Sequence, residues 1–475
     1  MSSPQSKIPG KVLGISVAAA VGGFLFGFDS SVINGAVDAL SGAKAGFDLT
    51  PFMTGVAVSS ALLGCTIGAI FAGRAADRFG RVKVMVVAAV LFTISSVLSG
   101  LAFSVWDLTF WRIIAGMGIG IASVVVPAYI AEVAPAAARG RLGSLQQLAI
   151  AFGLFAAFLS DAGLAAIAGS PESALWFGLP AWRWMLIMGV IPSVIYGILS
   201  LRLPESPRYL VTVGRLDDAR RILAKDVGDP NPAGKLAEIQ ASLSNDHRPS
   251  FADVRGKAAG LKPVVWVAIA LAFFQQTTGI NIILYYGSTL WSAVGFGSAL
   301  ALAIPIGTSI LGIVMTFVAI AIVDRVGRRP MLLVGSAGMA ITLALVAVAF
   351  AQGTPGGTGP DALPLGWGIV GLISAHAFYI FFCGTWGPVM WVYLGEVFPN
   401  QIRGAGMAIA VPVNWITNFL VTLLFPIMLA TIGLSFTYGI FAALTALSFI
   451  FVYRKVAETR GVELEDMTVS VRVTK

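Results

Sequence analysis

Apolar residues run along this chain in long stretches separated by short polar ones. Roughly 20 apolar residues in helical form cross ~30 Å of hydrocarbon. Twelve stretches qualify, at about 11–36, 51–72, 82–103, 106–133, 141–162, 181–202, 263–290, 298–323, 330–351, 366–397, 405–430 and 433–453. Gly and Pro interrupt many of them, which membrane helices tolerate. The pattern predicts an all-α integral membrane protein with twelve transmembrane helices. Lys7 and Lys11 precede the first stretch, as they would in a signal peptide. That stretch runs on past Ala20 to Phe28 and others follow, so it reads as a first span rather than a cleaved leader.

One segment breaks the pattern. Residues 204–262 are polar, with ten Lys/Arg and eight Asp/Glu. Within it, Leu216 to Leu223 has the spacing of a short amphipathic helix, and Pro230, Pro232 and Pro263 punctuate the run. The segment divides the chain into 1–203, 204–262 and 263–475, and it is too poor in apolar residues for a separate catalytic domain.

The two flanking parts share motifs. Glu132-Val133-Ala134-Pro135 with Arg139-Gly140 recurs as Glu396-Val397-Phe398-Pro399 with Arg403-Gly404. Asp77-Arg78-Phe79-Gly80-Arg81 recurs as Asp324-Arg325-Val326-Gly327-Arg328. Two pseudo-symmetric six-helix bundles follow, the mark of secondary transporters whose site lies between repeats. Asp77, Arg78, Glu132, Arg139, Asp324, Arg325, Glu396 and Arg403 all fall at helix ends. They suit simple orientation charges. Their repeated spacing favours salt bridges that lock the halves in one state and break in the other.

Composition agrees. Of 475 residues 57% are hydrophobic and 11% charged, against about 25% charged in soluble domains. The net charge of +8 is set by basic residues concentrated on one side of the spans. Arg74, Arg78, Arg81, Lys83, Arg325, Arg328, Arg329, Arg454 and Lys455 lie there, with both chain ends. The opposite loops hold only Lys44 and Arg183 beside Asp38, Asp48, Asp107, Asp161, Glu172 and Asp361. The asymmetry places both termini in the cytoplasm. No nucleic-acid motif accompanies the basic excess. Cys65 and Cys383 sit in apolar runs and read as small buried hydrophobes. No nucleophile–base pair, metal cluster or nucleotide loop is present, which argues against an enzyme and implies no cofactor and no metal. The partners implied are a small ligand and the lipid bilayer, with no obligate protein partner evident.

Polar residues inside the spans carry the chemistry. Asp29 and Arg112 are charges in spans one and four, each ~8–12 Å below the outer surface at 1.5 Å per residue. Intramembrane charges mark ion pathways. The pair reads as a protonatable carboxylate with its counter-charge, or as a static bridge that fixes packing. A second set is neutral. It comprises Gln146 and Gln147, then Gln275, Gln276, Thr277, Thr278, Gly279 and Asn281, then Trp386, Trp391, Asn414 and Asn418. Asn281, Tyr285 and Ser288 share a helical face by spacing, and Gly279 lets that helix bend. Amides donate and accept, which suits a polyhydroxy ligand; they also serve as packing glue between helices. His376 shows no sequence partner and reads as a packing histidine.

Together these residues resemble the sugar porter family of the major facilitator superfamily. The likeness rests on Gly73-Arg74-Ala75-Ala76-Asp77-Arg78-Phe79-Gly80-Arg81, Pro204-Glu205-Ser206-Pro207-Arg208, Gln275-Gln276-Thr277-Thr278-Gly279-Ile280-Asn281 and Gly387-Pro388-Val389-Met390-Trp391. It implies the major facilitator fold and alternating access. It also implies proton:monosaccharide symport in a bacterial inner membrane. The other readings are an inositol/proton symporter, a passive sugar uniporter or a non-transporting sugar sensor. By motif, the sugar contacts are Gln147, Gln275, Gln276, Asn281, Trp391 and Asn414, with Phe26 and Trp415 as aromatic walls. Asp29 takes the place of the family's proton carrier and Arg112 that of its partner. Leu154 stands where some pentose carriers have Gln, which favours a hexose such as glucose. Ala457-Glu458-Thr459-Arg460-Gly461 departs from the family's P-E-T-K-G, and Val82 from its usual second Arg, both away from the expected sugar site.

Overall fold

The computed structural model describes residues 10–42, 46–135, 139–245, 254–256, 260–293, 295–353, 363–398 and 400–460. The chain begins with α1 (Gly10–Ser41), α2 (Pro51–Phe79), α3 (Arg81–Gly100), α4 (Val105–Val133) and α5 (Arg139–Ala168). Next come α6 (Ala181–Ile187) and α7 (Val190–Arg202), which together form one span. The polar segment folds as α8 (Pro207–Thr212), α9 (Leu216–Ile222), α10 (Pro232–Asn245) and a minimal antiparallel pair, β1 (Arg255–Gly256) and β2 (Gly260–Leu261). Then follow α11 (Pro263–Thr277), α12 (Ile280–Tyr285), α13 (Gly287–Ala293), α14 (Ser298–Val326), α15 (Arg328–Ala351), α16 (Leu365–Gly384), α17 (Trp386–Val397) and α18 (Asn400–Lys455).

Among the described residues, eleven helical segments are long and apolar enough to cross a membrane. The twelfth span is inside α18. Its 56 residues would run ~84 Å if straight, far beyond the ~30 Å a single crossing needs. Gly433, at φ 76°, breaks it into two.

The motif shared by the halves makes the same corner twice. Gly80 (φ 95°) separates α2 from α3, and Gly327 (φ 98°) separates α14 from α15. A side chain at that φ is strained, so the glycine in D-R-x-G-R is what turns the helix. Elsewhere glycine lets backbones touch. Gly27 of α1 lies against the Ile150 carbonyl of α5, and Gly116 of α4 against the Ala61 carbonyl of α2, with no room for a Cβ at either. Small residues give membrane helices this close approach. The halves meet where α2 packs on α18 and α5 on α14.

The polar segment has its own small core of Leu210, Ala219, Ile222, Leu223 and Val227. Lys11 Nζ reaches Asp226 at 3.0 Å and ties this segment to the start of α1.

Three acidic residues do not sit in loops as expected; α4 begins at Val105 and carries Asp107 in its first turn. α1 extends to Ser41 and carries Asp38. α5 extends to Ala168 because Leu164-Ala165-Ala166-Ile167 stays apolar, so Asp161 lies inside that helix and is 1% exposed.

Candidate functional site

Two helix breaks shape the second half. Gly279 (φ 78°) separates α11 from α12, and an added Cβ there would stand 2.6 Å from the Phe441 ring. Thr385 (φ −137°, ψ −87°) separates α16 from α17. Gln275 of α11 reaches the second break: its Nε2 donates to Trp386 O (3.1 Å) and Gly387 O (3.3 Å) in the first turn of α17.

Around the first break the amides form one buried network. Gln276 Nε2 donates to Asn414 Oδ1 at 3.0 Å, and Asn414 Nδ2 donates to Gln275 Oε1 at 2.8 Å. Asn281 Nδ2 donates to Gln276 Oε1 (2.5 Å) and Asn418 Oδ1 (2.8 Å). The structure thus brings together Gln275, Gln276, Asn281 and Asn414, and adds Asn418. Its sequence signal was the i, i+4 spacing from Asn414. Ser288 is not part of this face. The helix breaks again at Tyr286, and Ser288 turns toward α1 instead.

Phe26 of α1 meets Trp415 of α18 edge-on, with centroids 5.4 Å apart, so the two expected aromatic walls touch across the halves. Gln147 and Trp391 are half-buried and make no hydrogen bond to the amide network among the described residues. The neighbouring Gln146 Oε1 is buried without a partner among the described residues. His376 is satisfied: Nδ1 faces Leu372 O (2.8 Å) and Nε2 faces Thr308 Oγ1 (3.1 Å). The carbonyl assigns the ring proton to Nδ1.

Asp29 and Arg112 face each other from α1 and α4. Arg112 NH1 stands 3.8 Å from Asp29 Oδ1, and both residues are buried, at 2% and 6% exposure. That is ion-pair range and beyond hydrogen-bond range. Asp29 Oδ2 and Arg112 Nε have no partner among the described residues. The pair is close enough to feel its charges and too loose to be locked by them.

The motif charges cluster within each half. Arg81 NH2 reaches Glu132 (2.9 Å) and Asp77 (3.0 Å). Arg328 NH2 reaches Glu396 (2.7 Å) and Asp324 (2.9 Å). The hubs are therefore Arg81 and Arg328, the last residue of each motif. These bridges join helices of one half and do not cross to the other. Arg78 stacks on Phe79 instead, and Arg325 offers its carbonyl to Arg460. The side chains of Arg139 and Arg403 lie outside the described residues.

A second repeat emerges here that sequence comparison alone did not expose. Glu205 accepts from the backbone N–H of Arg81 (3.0 Å), and Ser206 Oγ donates to Glu132. Glu458 accepts from the N–H of Arg328 (2.9 Å) and Arg329 (3.0 Å), and Thr459 Oγ1 donates to Glu396 at 2.6 Å. Pro204-Glu205-Ser206 and Ala457-Glu458-Thr459 are thus the same device, an acidic cap on a helix N-terminus. The apparent departure at Ala457 leaves it intact.

At the opposite end the halves are joined. Asn34 Nδ2 donates to Leu284 O (3.0 Å), Ser288 N donates to Asn34 Oδ1 (2.9 Å), and Ser288 Oγ donates to Asn34 O (2.5 Å). One turn on, Thr289 Oγ1 donates to Asp38 Oδ1 at 2.5 Å. Sequence reading missed Asn34 because an isolated Asn in an apolar run carries no pattern.

The chain and its fold have counterparts among known proteins. The glucose transport protein of Synechocystis sp. is 49% identical over 96% of this chain and 97% of that protein. The arabinose-proton symporter of Bacillus subtilis is 35% identical over 98% of this chain and 96% of that one. The partially occluded inward-open structure of the xylose transporter XylE from E. coli superposes with a TM-score of 0.82 at 33% identity, covering 96% of this chain and all of that one. Residues 15–470 match the family described as "Sugar (and other) transporter". The chain belongs to that family: it is a multi-pass membrane transporter of the major facilitator fold and not an enzyme.

Proposed function

We propose that this protein imports a monosaccharide, a hexose such as glucose, together with a proton across a bacterial cytoplasmic membrane by alternating access. The observation that carries the reading is the placement of the Asp29–Arg112 pair. It lies in the first half on α1 and α4, and α1 packs against α12, which presents Asn281 of the amide network. A proton site and a hydroxyl-binding site thus share one helix contact. Among the relatives, a glucose transport protein supports the hexose, and an arabinose-proton symporter supports a monosaccharide carried with a proton.

The 1–203 and 263–475 parts act as two rocking bundles, with 204–262 as the cytoplasmic link. Both termini face the cytoplasm, which makes the Asn34 end the outer one. With Asn34 bonded to Leu284 and Ser288, that outer end is shut and the protein is not outward-open. Protonation of Asp29 removes its charge from Arg112, loosens the pair and favours the outward-facing state. Sugar replaces amide–amide bonds among Gln275, Gln276, Asn281 and Asn414, and Gln147 adds a contact from the first half. Phe26, Trp391 and Trp415 wall the ring, and the outer gate then closes. The clusters on Arg81 and Arg328 hold the cytoplasmic ends of each bundle. Their regrouping accompanies the return, with Asp77, Arg78, Glu132, Arg139, Asp324, Arg325, Glu396 and Arg403 at that end.

The test is Asp29→Asn in proteoliposomes. Under an inward proton gradient the variant fails to accumulate sugar, while it still binds sugar at equilibrium and exchanges it down a sugar gradient. Full gradient-driven accumulation by Asp29→Asn would remove Asp29 as the coupling residue. Accumulation by the wild type without any gradient dependence would point to a uniporter.

A further inference from the structure

The proposed cycle leaves one buried acid unused. Asp161, on α5, is 1% exposed. Its Oδ2 accepts from Gly35 N at 3.3 Å, and its Oδ1 has no hydrogen-bond partner among the described residues. The approach is close: an added Cβ at Gly35 would stand 2.6 Å from that carboxyl group. Gly35 is the residue after Asn34, which pins α1 to Leu284 and Ser288 of the other half.

Among the described side chains, no cation serves this acid. α5 packs against α1, α4, α6 and α14. The charged residues on those helices are Lys11, Asp29 and Asp38 on α1, Asp107, Arg112 and Glu132 on α4, Arg183 on α6, and Asp324 and Arg325 on α14. Lys11 pairs with Asp226, Arg112 with Asp29, and Arg183 donates to Gly100 O and Ala102 O. Arg325 lies in the last turn of α14, beside the Arg328 cluster at the far end. Glu172, in the loop after α5, adds only negative charge. An ionised carboxylate with one weak backbone donor and no counter-charge is the costliest group a membrane interior can hold, whereas a neutral carboxyl with one idle oxygen is tolerable. The neutral form keeps the acceptor that Gly35 uses.

We propose that Asp161 is a second proton-binding site, on the outer gate: it holds a proton while Asn34 is pinned to Ser288 and releases it to outside water when that pin opens. The cover over Asp161 is α1 at the point where α1 itself is fastened to the other half, so freeing Asn34 admits water to the acid. The proton enters and leaves from the same side. Asp161 therefore biases the gate without adding to the protons carried per sugar. The sign follows from linkage. The open form binds fewer protons, so raising external pH favours opening, at most about tenfold per pH unit for one linked proton. This builds on the transport reading above, but its test does not need transport.

The experiment follows outer accessibility of a cysteine at Leu290, which is 1% exposed beside the pin on α13. Leu290→Cys is placed in a background with Cys65 and Cys383 replaced by Ala, and reacted with an impermeant maleimide in proteoliposomes without sugar or gradient. With Asp161 present, labelling rises severalfold from mildly acid to mildly alkaline external pH after correction for thiolate chemistry on an exposed control cysteine. In Asp161→Asn, which mimics the neutral acid and keeps the Gly35 acceptor, the rise disappears. Asp161→Ser behaves likewise, which separates loss of titration from a defect peculiar to Asn. Asp29→Asn keeps the rise and enlarges it, because protonation of Asp29 favours opening and its titration opposes that of Asp161. Gradient-driven sugar accumulation and the proton-to-sugar ratio are unchanged in Asp161→Asn. An equal rise with and without Asp161, or no rise in either, overturns the proposal. Loss of the rise in Asp29→Asn alone assigns it to Asp29 and overturns it too. Failure of wild-type symport would instead defeat the transport reading and leave the labelling result standing.

Discussion

Asn34 and Ser288 bond each other twice across the two halves. Ser288 N donates to Asn34 Oδ1 at 2.9 Å, and Ser288 Oγ donates to Asn34 O at 2.5 Å. Both residues are buried, so loss of either leaves unpaired groups that cost about 1–3 kcal/mol. Asn34→Ala is therefore expected to shift the protein toward the outward-open state by about tenfold in population. Distances between spin labels on the outer ends of α1 and α13 report the shift, and an unchanged distribution would show that the pin carries no gating energy.

The amide network makes a separate prediction. Asn281→Ala strands Gln276 Oε1, while Asn418 Oδ1 keeps Thr422 Oγ1 as a donor, and Gln276→Ala strands Asn414 Oδ1. If sugar hydroxyls use these groups, each variant weakens sugar binding by about 1–3 kcal/mol, where 1.4 kcal/mol is tenfold. Calorimetry on folded protein decides. Lower thermal stability with unchanged affinity would make the amides packing glue only.

Gly279 is tested through its backbone. Gly279→Ala places a side chain at φ 78° and a Cβ 2.6 Å from the Phe441 ring. A left-handed non-glycine residue costs of order 1–3 kcal/mol. Phe441→Ala in the same chain is expected to recover the steric part and not the backbone part. Thermal melting of the two variants in detergent separates these contributions, and full recovery would show that φ is not the obstacle.

Orientation is open to direct measurement. Basic-residue asymmetry puts Asp229, between α9 and α10, inside, and Phe177, between α5 and α6, outside. In intact cells an impermeant thiol reagent is expected to label Phe177→Cys, which replaces a side chain 93% exposed, and to miss Asp229→Cys. Labelling of the second alone would invert the topology and with it the naming of the outer gate.

Much of this was legible in the sequence, for physical reasons. Hydrocarbon thickness fixes span length, so the spans could be read from apolar runs. The break at Gly279 was readable because glycine announces backbone freedom. Asp29 and Arg112 stood out because charge in lipid is costly. The breaks at Tyr286 and Thr385 were not read, although Gly287 follows the first and Gly384 and Pro388 flank the second; Pro388 has no N–H for the Gly384 carbonyl. Asp161 was misplaced because an acid near a span end looks like a loop residue until its burial is known. Arg81 and Arg328 were overlooked as hubs because the motif shows which charges recur and not which way each side chain turns. The kinship of Glu205 with Glu458 needed three dimensions, since the two carboxylates share a target and almost no flanking sequence.

The glycine contacts divide the labour between the halves unequally. In the first half, Gly27 and Gly116 seat backbone directly on backbone, and α1, α2, α4 and α5 run without a break, although the sixth span divides between α6 and α7. In the second half, glycines such as Gly312 and Gly338 face the side chains of Tyr379 and Phe381, and two helices are broken. Side chains change rotamer; carbonyls in a helix do not. One descendant of the duplication has become an anvil and the other a set of jointed fingers, so inherited symmetry of shape does not carry symmetry of stiffness.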